Sequence, residues 1–216
     1  MKKIAIHDAT IITMDEKRSV RRADILIEGS IISKIGNLKP GDYKNATRIR
    51  ADGLTATPGL IQTHVHLCQT LFRNLADDLE LLDWLKLKIW PFEAAHTPAS
   101  IRSSARLALA ELIRGGTTTI LDMGTVHHHD YIFEQIEASG IRAFSGKAMM
   151  DECPGGPKGL EESRAWSIGE SLRLKRDWHN RADGRIQFAF APRFVLSCSE
   201  SLLCDVRDLS RDENLL

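Results

Sequence analysis

The sequence has 216 residues, 43% of them hydrophobic, with Lys+Arg and Asp+Glu equal at 29 each. That is enough apolar material for a sizeable core in one large domain or two small ones. Zero formal net charge, with no block of one sign, counts against nucleic acid and an anionic membrane surface as partners.

No apolar run approaches the roughly 20 residues of a transmembrane helix. The opening "MKKIAIHDATIITMDEK" turns polar too early for a signal peptide. A cytoplasmic protein is expected, and its four cysteines, Cys68, Cys153, Cys198 and Cys204, lack C-x-x-C spacing and read as reduced thiols.

The chain changes character near Pro58. Before it, "KKIAIHDATIITM", "ADILIEGSIISKIG" and "ATRIRADGLTATPG" are short β-branched runs broken by Gly, Asn and Asp, with a tight turn at Glu28-Gly29-Ser30. These predict the hairpin strands of a small sheet over residues 1–57. From Pro58 onward strands and helices alternate. "LIQTHVH" (Leu60 to His66) predicts a strand and "LELLDWLKLKIW" (Leu79 to Trp90) a helix over it. In the next helix Thr97 is the N-cap and Pro98 the first helical residue. Ile101, Ala105, Ala108, Leu109 and Leu112 form its apolar stripe, and Gly115 stops it.

"TTTILDMG" predicts a second strand, "DYIFEQIEAS" a helix ended by Gly140, and "IRAFSGKAMMD" a third strand. "CPGGPKGL" lacks the G-K-[ST] ending of a phosphate loop and reads as a flexible connection. A helix over "EESRAWSIGESLRLKRDW" and a fourth strand over "GRIQFAFAPRF" follow. This alternation predicts an α/β fold with a parallel sheet and right-handed crossovers, doubly wound or a (β/α)8 TIM barrel. No G-x-G-x-x-G follows a strand, which counts against dinucleotide binding.

Residues two apart on a strand share a face, so His64 and His66 project together from the carboxyl end of the first barrel strand, where barrel active sites lie. Neutral imidazoles placed so can share a divalent cation, at about 2.0–2.1 Å per Zn–N bond. One buried and one solvated histidine is the alternative.

A small N-terminal sheet followed by "TPGLIQTHVH" at the head of a β/α series resembles the amidohydrolase superfamily of metal-dependent hydrolases. Within it, "HLCQTLFRNLADDLELLDWLKLKIWPFEAAHT" is similar to the branch of adenosine-type deaminases (5'-deoxyadenosine, 5'-methylthioadenosine and S-adenosylhomocysteine deaminases) and s-triazine chlorohydrolases. The resemblance implies the metal-dependent hydrolase barrel, with residues 58–216 as its first half and residues 1–57 as part of a small N-terminal β-sandwich subdomain. It implies His64 and His66 as the first two ligands of one divalent ion, zinc first and iron second. The remaining ligands and the acid/base glutamate belong to strands five, six and eight, so the catalytic residues are expected beyond Leu216. The bridging lysine of binuclear relatives has no counterpart in "RIQFAFAPRF", which favours one metal.

The implied activity is hydrolytic deamination of a small purine-like substrate, the cation lowering the pKa of a water toward ~7 to attack purine C6. Chloride loss from a triazine fits the same chemistry. Glu93, in "WPFE", matches the position that accepts ribose hydroxyls in nucleoside-acting relatives, and Trp84 walls the pocket or belongs to an apolar face with Leu81, Leu82 and Leu85. Arg193 and Phe194 stand where adenosine-type relatives have a histidine and where guanine deaminases carry a similar P-R-F, so both are candidate substrate contacts. His127, His128 and His129 read as a solvated loop, because three consecutive residues do not converge on one ion, and Asp122 reads as structural. A homo-oligomer is admitted. A non-catalytic barrel scaffold is the alternative of another class.

Overall fold

The computed structural model describes residues 2–216, which fall into two compact units, 2–59 and 60–216. The first is a sheet of β1 (Lys3–Ile12), β2 (Val20–Glu28), β3 (Ile31–Gly36), β4 (Thr47–Arg50) and β5 (Thr55–Ala56). Its order is β3-β2-β1-β4, with β5 also on β1; the hairpin pairs are antiparallel and β4 and β5 run parallel to β1. A bulge in β1 between Ile6 and Ala9 places Asp8 at φ 61°, where Asp24 accepts its N–H at 2.9 Å. One extra residue exchanges the two faces of a strand. Ile6 therefore packs with Ala9 and Ile11 on one side, while Ala5 joins Leu26 and Leu38 on the other. Among the described residues this unit is one sheet, a single layer of the expected sandwich.

The second unit carries four parallel strands, β6 (Leu60–Val65), β7 (Thr117–Met123), β8 (Arg142–Gly146) and β10 (Ile186–Phe188), ordered β10-β8-β7-β6. A parallel pair, β9 (Ala148–Met149) and β11 (Ala191–Pro192), extends the two strands at the far side. Spatial order follows chain order with helices between, the arrangement of the first four strands of a TIM barrel. Among the described residues both outer strands lack a sheet partner on one side, and on β6 Leu60 and Ile61 are 54% and 67% exposed.

The helices behave as their sequences require. Helix α1 (Pro98–Arg114) opens on a Thr97/Ser100 capping box with Pro98 in its first turn, buries Ile101, Ala105, Ala108 and Leu109, and packs Leu112 at the margin. Helices α2 (Asp130–Ser139), α3 (Arg164–Trp178) and α4 (Glu200–Asp212) add Phe133, Ile136, Leu174 and Leu202 to the same core. Residues 81–94 are helical with a π turn over Leu85–Ile89. The face they bury is Leu85, Ile89, Trp90 and Glu93, while Leu81 and Leu82 are exposed. The predicted third and fourth strands are each split. Gly146 lies at the split in β8: a Cβ there would fall 1.8 Å from the Ala189 carbonyl oxygen, so only glycine admits the two strands this closely.

Candidate metal and substrate site

His64 lies on β6 and His66 one residue beyond its end, both at the carboxyl edge of the sheet. Their ring centroids are 5.3 Å apart at an interplanar angle of 74°. His66 Nδ1 lies 2.6 Å from the Met123 carbonyl oxygen. A carbonyl only accepts, so Nδ1 carries the proton and the lone pair of the neutral ring sits on Nε2. Burial holds the His66 pKa below its ordinary value, against the pull of that hydrogen bond, which keeps the ring neutral. This is the second-sphere arrangement that orients a metal-binding histidine, and two adjacent imidazoles suit a divalent ion. Among the described residues no group of three or more His, Cys, Asp or Glu side chains is placed to hold a metal, so the pair would be part of a ligand set.

Two cavities open on the pair. One, of about 80 Å³, is lined by His64, His66, Met123, Gly124, Ala148 and Arg193, among others. The other, of about 340 Å³, brings in Gln69, Phe72, Arg73 and Trp84. Trp84 thus shares a wall with both histidines. Phe194 is half-buried and lines neither cavity.

Glu93 and Arg193 meet each other. Arg193 Nη1 donates to Glu93 Oε2 and Nη2 to Oε1 at 3.1 Å, while Gln69 Nε2 donates to Oε1 at 2.8 Å. The carboxylate is buried and both oxygens are engaged within the chain. Arg193 also lines the smaller cavity with the histidines, leaving the other guanidinium N–H groups as donors. Gln69 escaped the sequence reading. Its signal was its place three residues after His66, in the 3₁₀ turn Leu67–Phe72 that leaves the strand.

The three consecutive histidines diverge. His127 Nε2 bonds the Gly159 carbonyl at 2.6 Å, His128 takes φ 64°, and His129 is buried with Nε2 3.0 Å from Ser145 Oγ. Burial pushes the His129 pKa down to about 3. Lys147 is buried and bonded to Glu162, so it is not free to bridge metals. The cysteines are free thiols.

Residues 55–216 match the sequence profile of the amidohydrolase family. The chain belongs to that family. This amidohydrolase is 38% identical over 205 residues to a 5-methylthioadenosine/S-adenosylhomocysteine deaminase of Carboxydothermus hydrogenoformans, covering 94% of the chain and 45% of that protein. Its structure superposes on E. coli guanine deaminase with a TM-score of 0.83 at 26% identity, over 99% of this chain and 52% of the other. It also superposes on an adenosine deaminase from Xanthomonas campestris with bound zinc, at a TM-score of 0.80 and 25% identity, over 99% and 48%. The amidohydrolase chain spans about half the length of these proteins. No helix among its described residues is long and apolar enough to cross a membrane.

Proposed function

We propose that this chain supplies two metal ligands and part of the substrate pocket of a zinc-dependent hydrolytic deaminase acting on an adenosine-type nucleoside such as 5'-deoxyadenosine, 5'-methylthioadenosine or S-adenosylhomocysteine. The observation that carries the metal part is the hydrogen bond from His66 Nδ1 to Met123, which frees Nε2 beside His64. A divalent ion bound there would acidify a water so that hydroxide is available near neutral pH. Burial keeps His66 neutral and the Met123 carbonyl orients its ring, and the rim with Trp84 offers a flat apolar wall to a heterocycle. Support for the nucleoside comes from the 38% identical deaminase.

A second reading, deamination of a free oxopurine such as guanine, is favoured by one observation. Glu93, the expected acceptor for a ribose diol, is already bonded to Arg193 and Gln69, and Arg193 offers its remaining donors to the cavity. Arginine donors suit a carbonyl oxygen or ring nitrogen. The test is ammonia release by the full-length zinc-loaded protein from 5'-deoxyadenosine, 5'-methylthioadenosine, S-adenosylhomocysteine, adenine and guanine. Highest kcat/KM on a nucleoside supports the first reading and on guanine the second. Turnover of none of them, in a protein that holds zinc, would sink both. His64→Ala with His66→Ala should abolish bound metal and turnover together.

A further inference from the structure

Between the metal-facing histidines and the core runs a chain of buried polar groups that the proposed reaction does not use. Asp122, Ser145 and His129 are 1%, 0% and 2% exposed. His129 Nε2 lies 3.0 Å from Ser145 Oγ, Ser145 Oγ donates to Asp122 Oδ2 at 2.7 Å, and Asp122 Oδ1 accepts the Leu67 N–H at 2.9 Å. Because the serine proton goes to the carboxylate, its oxygen accepts from His129, and every hydrogen bond points toward Asp122. The chain crosses three strands in register: Val65 pairs with Asp122, and Asp122 with Ser145.

Its end point matters. At His66 the backbone leaves β6 for a 3₁₀ turn, and the side chain of His66 provides no cap. The Leu67 N–H would be an orphan donor at the start of that turn, and Asp122 fills the place of the missing cap. Consecutive residues of β7 thus grip consecutive residues after β6, Asp122 holding the Leu67 amide and Met123 the His66 ring. Burying a carboxylate is costly unless its partners are fixed. Here the partners fix the turn that aims a ligand.

We infer that Asp122 is a positioning residue for the metal ligand His66, acting through the Leu67 amide and steadied by Ser145 and His129. The inference rests on the reading of His64 and His66 as metal ligands. Asp122 is buried and lines neither cavity that opens on the histidines, so its effect is on metal affinity and ligand geometry.

The experiment uses the full-length protein stripped of metal and reloaded. Zinc affinity is measured by competition with a chromophoric chelator, and the visible bands of the cobalt-substituted form report ligand geometry. Thermal midpoints of the metal-free forms separate folding from binding. Removing an outer-sphere partner of this kind weakens metal binding by about 10- to 100-fold. Asp122→Ala should lie near the upper figure with altered cobalt bands. Asp122→Asn, which keeps an acceptor for Leu67 and preserves volume if the alanine variant does not fold, should lie near the lower. Wild-type zinc affinity with an unchanged cobalt spectrum in Asp122→Ala, or in the similarly shaped but acceptor-free Asp122→Leu where the alanine variant does not fold, overturns the inference. If the wild type binds neither metal, the ligand reading of His64 and His66 fails instead, and the inference with it.

Discussion

Glu93 and Arg193 stand 100 residues apart and meet as a buried two-point ion pair, with side chains 0% and 9% exposed. One comes from the helical stretch after β6 and the other follows β11, so the pair ties the first β/α connection to the fourth. A guanidinium is matched to a carboxylate in this bidentate geometry, and the orientation of Arg193 toward the histidines is set by its acid partner.

Breaking the pair from one side should be worse than removing it. Loss of one partner leaves an uncompensated buried charge and costs about 3–5 kcal/mol, whereas removing both is often close to neutral. Glu93→Ala is therefore expected to lower the denaturation midpoint of the full-length protein markedly, and Glu93→Ala with Arg193→Met to restore much of it. Additive losses in the double variant would show that the two side chains are not coupled.

The pH dependence of stability should carry the mark of His129. Its pKa is pushed down to about 3 by burial, while the unfolded chain titrates near the ordinary value of 6.5. Below 6.5 the unfolded state binds a proton that the folded state refuses, so folding loses about 1.4 kcal/mol per pH unit as pH falls. Asp122 opposes this: burial raises its pKa to about 6, so it contributes stability that grows as pH drops from there toward 3.8. Asp130 and Lys147 also act on His129, in opposite directions. Because these groups offset one another, the clean readout is a difference. His129→Gln should gain on the wild type by about 1 kcal/mol between pH 6.5 and 5.5, measured by urea unfolding. Parallel curves for the two proteins would mean that His129 takes up its proton in the native state.

Gly124 is expected to tolerate no side chain. A Cβ would lie 2.1 Å from His129 Cε1 and 2.6 Å from the Gly146 carbonyl oxygen, and the second of these is backbone. Overpacking of this kind costs about 1–3 kcal/mol. Gly124→Ala should lower the thermal midpoint and weaken zinc binding, because the displaced strand end includes the Met123 carbonyl. A wild-type midpoint would show that His129 can move aside.

These residues also mark where the sequence was legible. The spacing of Ile101, Ala105, Ala108 and Leu109, between Thr97-Pro98 and Gly115, names a helix and its buried face without help, because periodicity and capping are local. The two-residue spacing of His64 and His66 is likewise local and puts both at one strand end. The engagement of Glu93 by Arg193 and of Leu67 by Asp122 is not local: the partners lie 100 and 55 residues apart, and no pattern within one element records them. The π turn at Leu85–Ile89 falls in the same class. Of the apolar face read from Leu81, Leu82, Trp84 and Leu85, the structure buries Leu85 and continues the buried face through Ile89 and Trp90, leaving Leu81 and Leu82 exposed. The splitting of the fourth strand follows from the approach of Gly146 to Ala189, again a contact between elements.

The 216-residue chain expressed by itself should self-associate. Among the described residues both outer strands of the parallel sheet lack a partner on one side, and Leu60, Ile61, Val195 and Leu196 are exposed apolar side chains. Unpaired edges with uncovered apolar surface favour association. Light scattering after size-exclusion chromatography is expected to show soluble aggregates. A monomer with a single cooperative melt would refute the expectation.

The last prediction uses Glu93 to separate the two substrate readings. If its carboxylate read a ribose diol, Glu93→Gln would damage turnover of 5'-deoxyadenosine and 5'-methylthioadenosine and leave adenine and guanine nearly untouched. In the structure the carboxylate is committed to Arg193 and Gln69, and Arg193 faces the cavity of the histidines. A neutral amide cannot hold the guanidinium at two points, so the donors that face the heterocycle lose their orientation whatever sugar is attached. A hydrogen bond to a charged group is worth about 1.5–3 kcal/mol, or about ten- to a hundredfold in kcat/KM. Glu93→Gln is expected to lower kcat/KM by that factor on nucleosides and free bases alike, with zinc content unchanged. Losses confined to the nucleosides would restore the diol role to Glu93 and remove Arg193 from recognition of the ring.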